Sequence, residues 1–203
     1  EHAVRGVMTS HGDGVYKSTD AGKTWKKMGL DLTQHISRII IHPKDPNIVY
    51  IAAQGALYSK SQQRGIFKST DGGVSWNKVL YVDDKTGCAE LSMDMNNPRI
   101  LYAAMWEYGR LPWKIISGGP GSGIYKSTDA GEHWEKIQEG LPKELGKMSV
   151  AVCRSNSEKV YALVESDTEK EAGGLFVSAD GGKYWSLVSK DHRLVQRAWY
   201  YIE

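Results

Sequence analysis

The chain has 203 residues, of which 40% are hydrophobic and 25% charged, so its composition is that of a globular protein rather than a disordered one. Its formal net charge is only +2 and its lysines are scattered, which predicts no basic face for nucleic acid. No apolar run approaches the ~20 residues that a membrane span needs, and two cysteines are too few for a disulfide framework.

One segment recurs four times along the chain. "GVYKSTDAGKTW" at 14–25 is followed by "GIFKSTDGGVSW" at 65–76, "GIYKSTDAGEHW" at 123–134 and "GLFVSADGGKYW" at 174–185. The tryptophans that close these segments are 51, 58 and 51 residues apart. A period of about 40–50 residues is typical of a four-stranded propeller blade.

The strands can be assigned in chain order. Residues 1–30 contain one copy of the segment and are predicted to form a partial blade. In 36–80, "RIIIHPKDPNIVYIAAQG" provides two apolar runs separated by a turn, and "GIFKS" and "WNKVLYV" provide two more. Four short strands are therefore predicted for 36–80, which form one blade.

The same order of runs recurs in the rest of the chain. It predicts blades at 88–138 and 148–189, and the start of another blade at 195–203. The expected fold is all-β: a single partial propeller over 1–203, with about three full blades of four antiparallel strands plus two partial ones. Closed propellers usually have four to eight blades, so the remaining blades of the same propeller are expected as partners.

The recurring segment obeys the pattern Ser-x-Asp-x-Gly-x-x-Trp. The aspartate can accept hydrogen bonds from the backbone of its own turn, and the glycine can adopt the positive φ of a tight reversal. The tryptophan opens the next strand and can fold its ring over the turn. The sixteen motif residues are Ser18, Asp20, Gly22, Trp25, Ser69, Asp71, Gly73, Trp76, Ser127, Asp129, Gly131, Trp134, Ser178, Asp180, Gly182 and Trp185.

This pattern resembles the Asp-box, or BNR, repeat of sialidases, sortilin-type receptor domains, xyloglucan-active glycosidases and photosystem assembly factors. Around the motifs, "HPKDPNIVYIAAQG" and "GGPGSGIYKSTD" look most similar to large secreted bacterial BNR proteins of the sortilin-like or glycosyl-hydrolase-like kind. The resemblance implies a secreted, periplasmic or cell-surface location. It also implies that the Asp boxes are structural and lie opposite the ligand face, with no cofactor or metal. Calcium is the alternative, but one carboxylate per turn is a weak ligand set.

Antiparallel strands divide the connections between two faces of the blades. The Asp boxes and the turns between first and second strands share one face, which we call the Asp-box face. The other connections form the upper face. Its predicted segments are 29–36, 54–64, 80–89, 105–122, 138–147 and 165–173.

One upper-face loop stands out, "MWEYGRLPWKIISGGPGSG" at 105–123. Its insertion accounts for the longest spacing between tryptophans. Long loops with aromatic and ionic side chains on a rigid scaffold are common places for binding. The candidate ligand contacts are Trp106, Glu107, Tyr108, Arg110 and Trp113. Alternatively, the rings simply cover the loop or an adjoining blade.

Catalytic residues are less well indicated than binding residues. A glycosidase needs two carboxylates placed across a sugar. Candidate acids on the upper face are Asp31, Asp83, Asp84, Glu90 and Glu107, and the sequence singles out no pair. The Arg-Ile-Pro tripeptide of sialidases does not occur.

Three functions stay open on this evidence. The first is a non-catalytic module that binds peptide, protein or glycan on the upper face. The second is a segment of a xyloglucanase-like or sialidase-like glycoside hydrolase that acts on polysaccharide. The third is a structural or assembly-factor propeller.

Overall fold

The computed structural model describes residues 10–166, 173–191 and 193–194. This part of the chain contains fifteen β-strands and no helix. All paired strands run antiparallel. The blade start predicted at 195–203 lies outside the described residues.

The first two sheets lie in the N-terminal part of the chain. The first sheet is the short hairpin of β1 (Tyr16–Lys17) and β2 (Lys26–Lys27). The second sheet has four strands in sequence order. They are β3 (Ile36–Ile41), β4 (Val49–Ala53), β5 (Gly65–Ser69) and β6 (Asn77–Leu80).

The third sheet repeats this arrangement and adds a strand. Its blade strands are β7 (Thr86–Met93), β8 (Leu101–Leu111), β10 (Gly123–Ser127) and β11 (Glu135–Lys136). The long strand β8 also pairs with β9 (Lys114–Ser117). Much of the predicted loop at 105–123 is therefore a β-hairpin.

The fourth sheet again has four strands in sequence order. They are β12 (Met148–Val152), β13 (Val160–Val164), β14 (Gly174–Ser178) and β15 (Ser186–Ser189). Sheets of consecutive antiparallel strands are the blades of a propeller. The predicted all-β propeller fold is thus confirmed.

The core lies between neighbouring sheets. Tyr50 and Ile66 of the second sheet pack with Met105 of the third. Ile124 of the third sheet packs with Phe176 of the fourth. Since each of these side chains is at least 95% buried, each contributes roughly 1.5–3 kcal/mol of hydrophobic stabilisation. The blades therefore stabilise one another through apolar surfaces that a single sheet would expose.

The third strand of the second sheet begins at a glycine because no side chain would fit at that position. Gly65 has a φ of 108°, and a Cβ at this position would lie 2.0 Å from the carbonyl oxygen of Leu80. Gly174, at the same place in the fourth sheet, would bring a Cβ within 2.3 Å of the Ser189 carbonyl oxygen. The end of the fourth strand approaches the third strand too closely for any side chain.

Backbone hydrogen bonds establish the two faces of the blades. The Gly72 N–H in an Asp-box turn donates to the Asn47 carbonyl in the turn between β3 and β4, at 2.9 Å. At the other end of the same sheet, the Ser61 N–H donates to the Asp84 carbonyl at 2.9 Å. The Asp-box face and the upper face are therefore at opposite ends of the strands.

Candidate functional site

Each Asp-box turn is held by its own serine and aspartate. In the second sheet, the Gly73 N–H donates to Ser69 Oγ at 2.8 Å, and this hydroxyl donates to Asp71 Oδ1 at 2.8 Å. Asp71 Oδ1 also accepts the Val74 and Ser75 N–H groups, both at 2.9 Å. The serine-to-aspartate bond recurs at 2.7–2.8 Å in the other three motifs.

These hydrogen bonds favour the ionised aspartates. The Thr24 hydroxyl, followed by the Thr24 N–H and the Ser18 hydroxyl, lowers the pKa of Asp20 to about 2. Similar bonds from their own turns lower the pKa values of the other three aspartates, Asp71, Asp129 and Asp180. The carboxylates are thus engaged in closing their turns. Within the described residues, no cluster of His, Cys, Asp and Glu could hold a metal ion.

The Asp-box turns also join neighbouring blades. Tyr50 Oη and Lys68 Nζ of the second sheet both donate to the Ala130 carbonyl, in the Asp box of the third sheet, at 2.8 and 2.9 Å. Lys68 Nζ also contacts Glu132 Oε1 at 2.6 Å. We call this pair of donors on one carbonyl the blade clasp.

The blade clasp recurs between the third and fourth sheets. Tyr102 Oη and Lys126 Nζ donate to the Gly181 carbonyl at 3.1 and 2.6 Å. Lys17 of the first sheet donates in the same way to the Gly72 carbonyl at 3.0 Å. These contacts engage the Asp-box turns within and between blades. A cleft of about 420 Å³ still opens on this face between the first and second sheets, where Trp25, Asn47 and Trp76 are among its lining residues.

On the upper face, two of the five candidate ligand contacts are buried. Trp106 is fully buried and Tyr108 is 2% exposed, and their ring centroids are 4.6 Å apart. Trp106 Nε1 donates to Ser117 Oγ at 3.0 Å, and this hydroxyl donates to Glu165 Oε2 at 2.8 Å. These rings thus cover the base of the hairpin and connect the third sheet to the fourth.

The other three candidates lie nearer the surface. Trp113 at the tip of the hairpin is 81% exposed, and Arg110 is partly exposed. Glu107 is partly buried, and its Oε2 accepts the Gly121 N–H at 3.3 Å. Binding by the five residues stays a prediction, and in this conformation a ligand can reach only Glu107, Arg110 and Trp113.

The remaining candidate acids are held by nearby groups, and Glu90 lies in the middle of strand β7 rather than in an upper-face connection as the sequence predicted. Asp31 pairs with Lys27 at 3.2 Å, Asp84 with Lys60 at 3.5 Å, and Glu90 with Arg38 at 2.7 Å. Burial tends to raise the pKa of Asp83. Hydrogen bonds from the N–H groups of Lys85 and Thr86 outweigh that effect, so the pKa is lowered.

Two clefts open on the upper face. The first cleft, about 270 Å³, lies between the loop after β4 and the β8–β9 hairpin. Its polar and aromatic lining residues are Tyr58, Ser59, Lys60, Arg64, Lys85, Glu107, Tyr108 and Arg110. The second cleft, about 430 Å³, lies between 117–120 and 143–146.

Sequence reasoning missed Glu165 and Arg64. Glu165 is 5% exposed, and its Oε2 accepts the Lys147 N–H at 2.8 Å as well as the Ser117 hydroxyl. Arg64 is 1% exposed and lines the first cleft. Each lies directly next to an apolar strand, and this position was the only signal in the sequence. Charged residues at such positions are more often exposed than buried, so the position alone does not predict a buried charge.

The described residues include no helix with the length and apolarity that a membrane crossing requires.

Two histidines, His35 and His42, contact backbone groups of nearby loops. His35 Nδ1 lies 3.0 Å from the Gly55 carbonyl oxygen, and His42 Nδ1 accepts the N–H groups of Lys44 and Asp45.

The sequence of this chain is similar to those of known proteins. The family model described as BNR/Asp-box repeat matches residues 16–27. Xyloglucanase Xgh74A of Acetivibrio thermocellus is 26% identical over 86% of this chain and 23% of its own length. The chain therefore spans less than a quarter of the length of this relative.

Solved structures show the same fold. An ancestral GH74 enzyme superposes with a TM-score of 0.68 at 22% identity, over 91% of this chain and 22% of that one. The GH74 enzyme of Niastella koreensis superposes with a TM-score of 0.64 at 25% identity, over 86% of this chain and 26% of that one. The chain is thus an Asp-box (BNR) repeat chain with the fold of β-propeller blades.

Proposed function

We propose that the protein containing this chain is a glycoside hydrolase of the xyloglucanase type that acts on polysaccharide. The observation that carries this proposal is the sequence similarity to Xgh74A, which extends over 86% of the chain rather than over the Asp boxes alone. We also propose that residues 1–203 belong to one propeller and that their upper face holds part of the glycan.

The shape of the upper face supports a glycan ligand. Both clefts lie there, and Tyr58 and Trp113 are 59% and 81% exposed beside or near the first cleft. Exposed aromatic rings offer apolar faces on which sugar rings can stack, with few torsions to immobilise. A polysaccharide chain can pass along such an open surface.

Two of the candidate acids, Asp83 and Glu107, suit binding better than bond cleavage. Asp83 and Glu107 both border Gly121: Glu107 Oε2 accepts its N–H at 3.3 Å, and Asp83 Oδ2 lies 3.2 Å from where a Cβ on Gly121 would be. The Gly121 backbone thus lies beside both carboxylates, on the side where a pair of catalytic acids would need open space for a glycosidic bond. We therefore propose that the blades described here hold substrate.

A non-catalytic binding module is the second candidate, in the manner of sortilin-like receptors that hold peptide, protein or glycan. The ion pairs of Asp31, Asp84 and Glu90 favour it, because a carboxylate that is already paired is less available for bond cleavage. In either case, we propose an extracellular location, since a polysaccharide is too large to cross a membrane.

Activity of the full-length protein on xyloglucan separates the two candidates. Release of new reducing ends is expected if the protein is a hydrolase, and binding without release is expected for the second candidate. The absence of both binding and release would contradict the hydrolase proposal and leave a module that binds peptide or protein, or the structural or assembly-factor function.

A matched pair of variants tests the proposed face. We expect Trp113→Ala to weaken xyloglucan binding several-fold. Tyr184→Ala, which removes a 54% exposed ring on the Asp-box face, should leave binding unchanged. Equal effects of the two substitutions would contradict binding at the β8–β9 hairpin.

A further inference from the structure

The first cleft contains a buried arginine whose hydrogen-bonding capacity is only partly used. Arg64 is 1% exposed, and its Nη2 donates to the carbonyl oxygens of Ala56 and Ser59 at 2.6 and 3.2 Å. Among the described residues, its Nε and Nη1 have no acceptor and no carboxylate forms an ion pair with it. A buried guanidinium without a counter-charge is costly, by several kcal/mol in general.

The backbone accommodates this arginine specifically. Gly55 has a φ of 79°, and a Cβ there would lie 2.5 Å from Cγ of Arg64. Any other residue at position 55 would push the arginine stem away. The glycine in the loop that follows β4 therefore determines where the buried guanidinium can lie.

The other charged groups of the first cleft are mainly cationic. Lys60, Lys85 and Arg110 line it together with Arg64, and Glu107 is its one acidic lining residue. Lys60 is partly neutralised by Asp84 at 3.5 Å. Burial lowers the pKa of Arg64, while the more distant charges of Asp83 and Asp84 oppose that effect. The charge of Asp83 likewise interacts with that of Lys85, so the four lining cations outnumber Glu107, Asp83 and Asp84 by one charge.

We propose that the first cleft binds the carboxylate of a uronic acid residue within a polysaccharide. This inference rests on the proposed function, since it identifies the sugar that the upper face prefers. Arg110 and the lysines contact the carboxylate directly. Arg64 Nε and Nη1 are covered, so Arg64 acts through its charge, which surrounding solvent and salt screen less than they would screen a surface charge.

The size and lining of the cleft favour a sugar carboxylate. A cleft of about 270 Å³ is at the small end of ligand sites, which suits a single sugar residue. Tyr58 provides a 59% exposed ring against which that sugar can pack. A neutral sugar would gain the packing but not the charge interaction.

The test compares two ligands that differ only at the carboxyl group. Oligosaccharides of glucuronoxylan, and the same oligosaccharides after chemical reduction of the carboxyl groups to alcohols, are titrated calorimetrically into the full-length protein. We expect the acidic form to bind about tenfold tighter, as for one charge-assisted hydrogen bond, and to lose that advantage at high salt.

Substitutions assign the selectivity to the first cleft. Arg64→Met keeps most of the side-chain stem and removes the charge, and it should weaken the preference, while the direct contacts of Arg110 and the lysines remain. Arg110→Gln, at a partly exposed position, tests the same site without disturbing the interior. The control is Arg99→Gln, which removes an exposed arginine from the turn between β7 and β8 on the Asp-box face and should leave the preference intact.

The outcomes distinguish this inference from the proposed function. Equal affinity for the acidic and reduced forms, while xyloglucan is still bound or cleaved, would overturn the inference alone. Selectivity that survives both Arg64→Met and Arg110→Gln would also overturn it. Tight binding of peptides with a free carboxylate, together with no binding of any glycan, would overturn both.

Discussion

The blade clasp makes a quantitative prediction about how neighbouring blades are coupled. Tyr50 and Lys68 both donate to one acceptor, the Ala130 carbonyl. Tyr50→Phe leaves that carbonyl bonded to the lysine, so we expect a loss of about 1 kcal/mol, the usual value of one hydrogen bond. Lys68→Met keeps most of the stem and leaves the tyrosine bond, but it also removes the ion pair with Glu132, so we expect a somewhat larger loss of about 1–2 kcal/mol.

The double variant should cost more than the two single variants together. With both donors gone, the partly buried Ala130 carbonyl between two sheets has lost both of its clasp partners. A fully buried polar group without a partner costs about 1–3 kcal/mol, so the lower end of that range applies here. We therefore expect a coupling energy of about +1 kcal/mol between the two substitutions, beyond the sum of their separate effects.

Local hydrogen exchange is the suitable assay, because a multi-blade protein need not unfold in one step. Protection of the amides in 127–134 reports the free energy of opening the Asp-box turn that accepts both bonds. Tyr184→Phe, which alters an exposed ring, is the control and should change protection by less than about 0.5 kcal/mol. Additive effects, with a coupling energy below about 0.3 kcal/mol, would refute the blade clasp.

Three further predictions concern the turns and strands. Ala130 has a φ of 63°, so Ala130→Gly should raise the melting temperature, because relief of about 1–2 kcal/mol of strain exceeds the added entropy of the unfolded glycine. Gly65→Ala should cost more than about 1 kcal/mol in denaturant unfolding, since its Cβ would lie 2.0 Å from the Leu80 carbonyl oxygen. The folded-state pKa of Asp20 is about 2, below its value in an unfolded chain, so ionised Asp20 stabilises the fold near neutral pH. Its contribution should disappear as the pH falls from about 4 through 2, and Asp20→Asn should flatten an acid unfolding curve in that range.

The fold could be predicted from the sequence because its signals are local and repeated. In each Asp box the serine, aspartate and glycine lie within five residues of one another, so turn chemistry alone predicts their contacts. The blade clasp could not be predicted in the same way. Tyr50 and Ala130 are 80 positions apart, and nothing in the sequence around Tyr50 identifies the carbonyl that it bonds.

The candidate site was harder to predict because the sequence at 105–111 suggests a loop, whereas the structure continues strand β8 through it. Residues two apart on a strand point to the same side, which places Trp106 and Tyr108 together in the interior. Gly109 and Pro112 obscured that alternation in the sequence. Arg64 escaped notice because charged residues are rarely fully buried, so only the packed structure shows its position.

The most direct test of the account is hydrogen exchange of the full-length protein with and without xyloglucan oligosaccharides. We predict added protection in the upper-face segments 54–64 and 105–122, and unchanged exchange in the Asp-box turns at 69–76 and 127–134. Protection confined to the Asp-box turns, or no change anywhere in these blades at saturating oligosaccharide, would contradict the claim that the upper face holds the glycan.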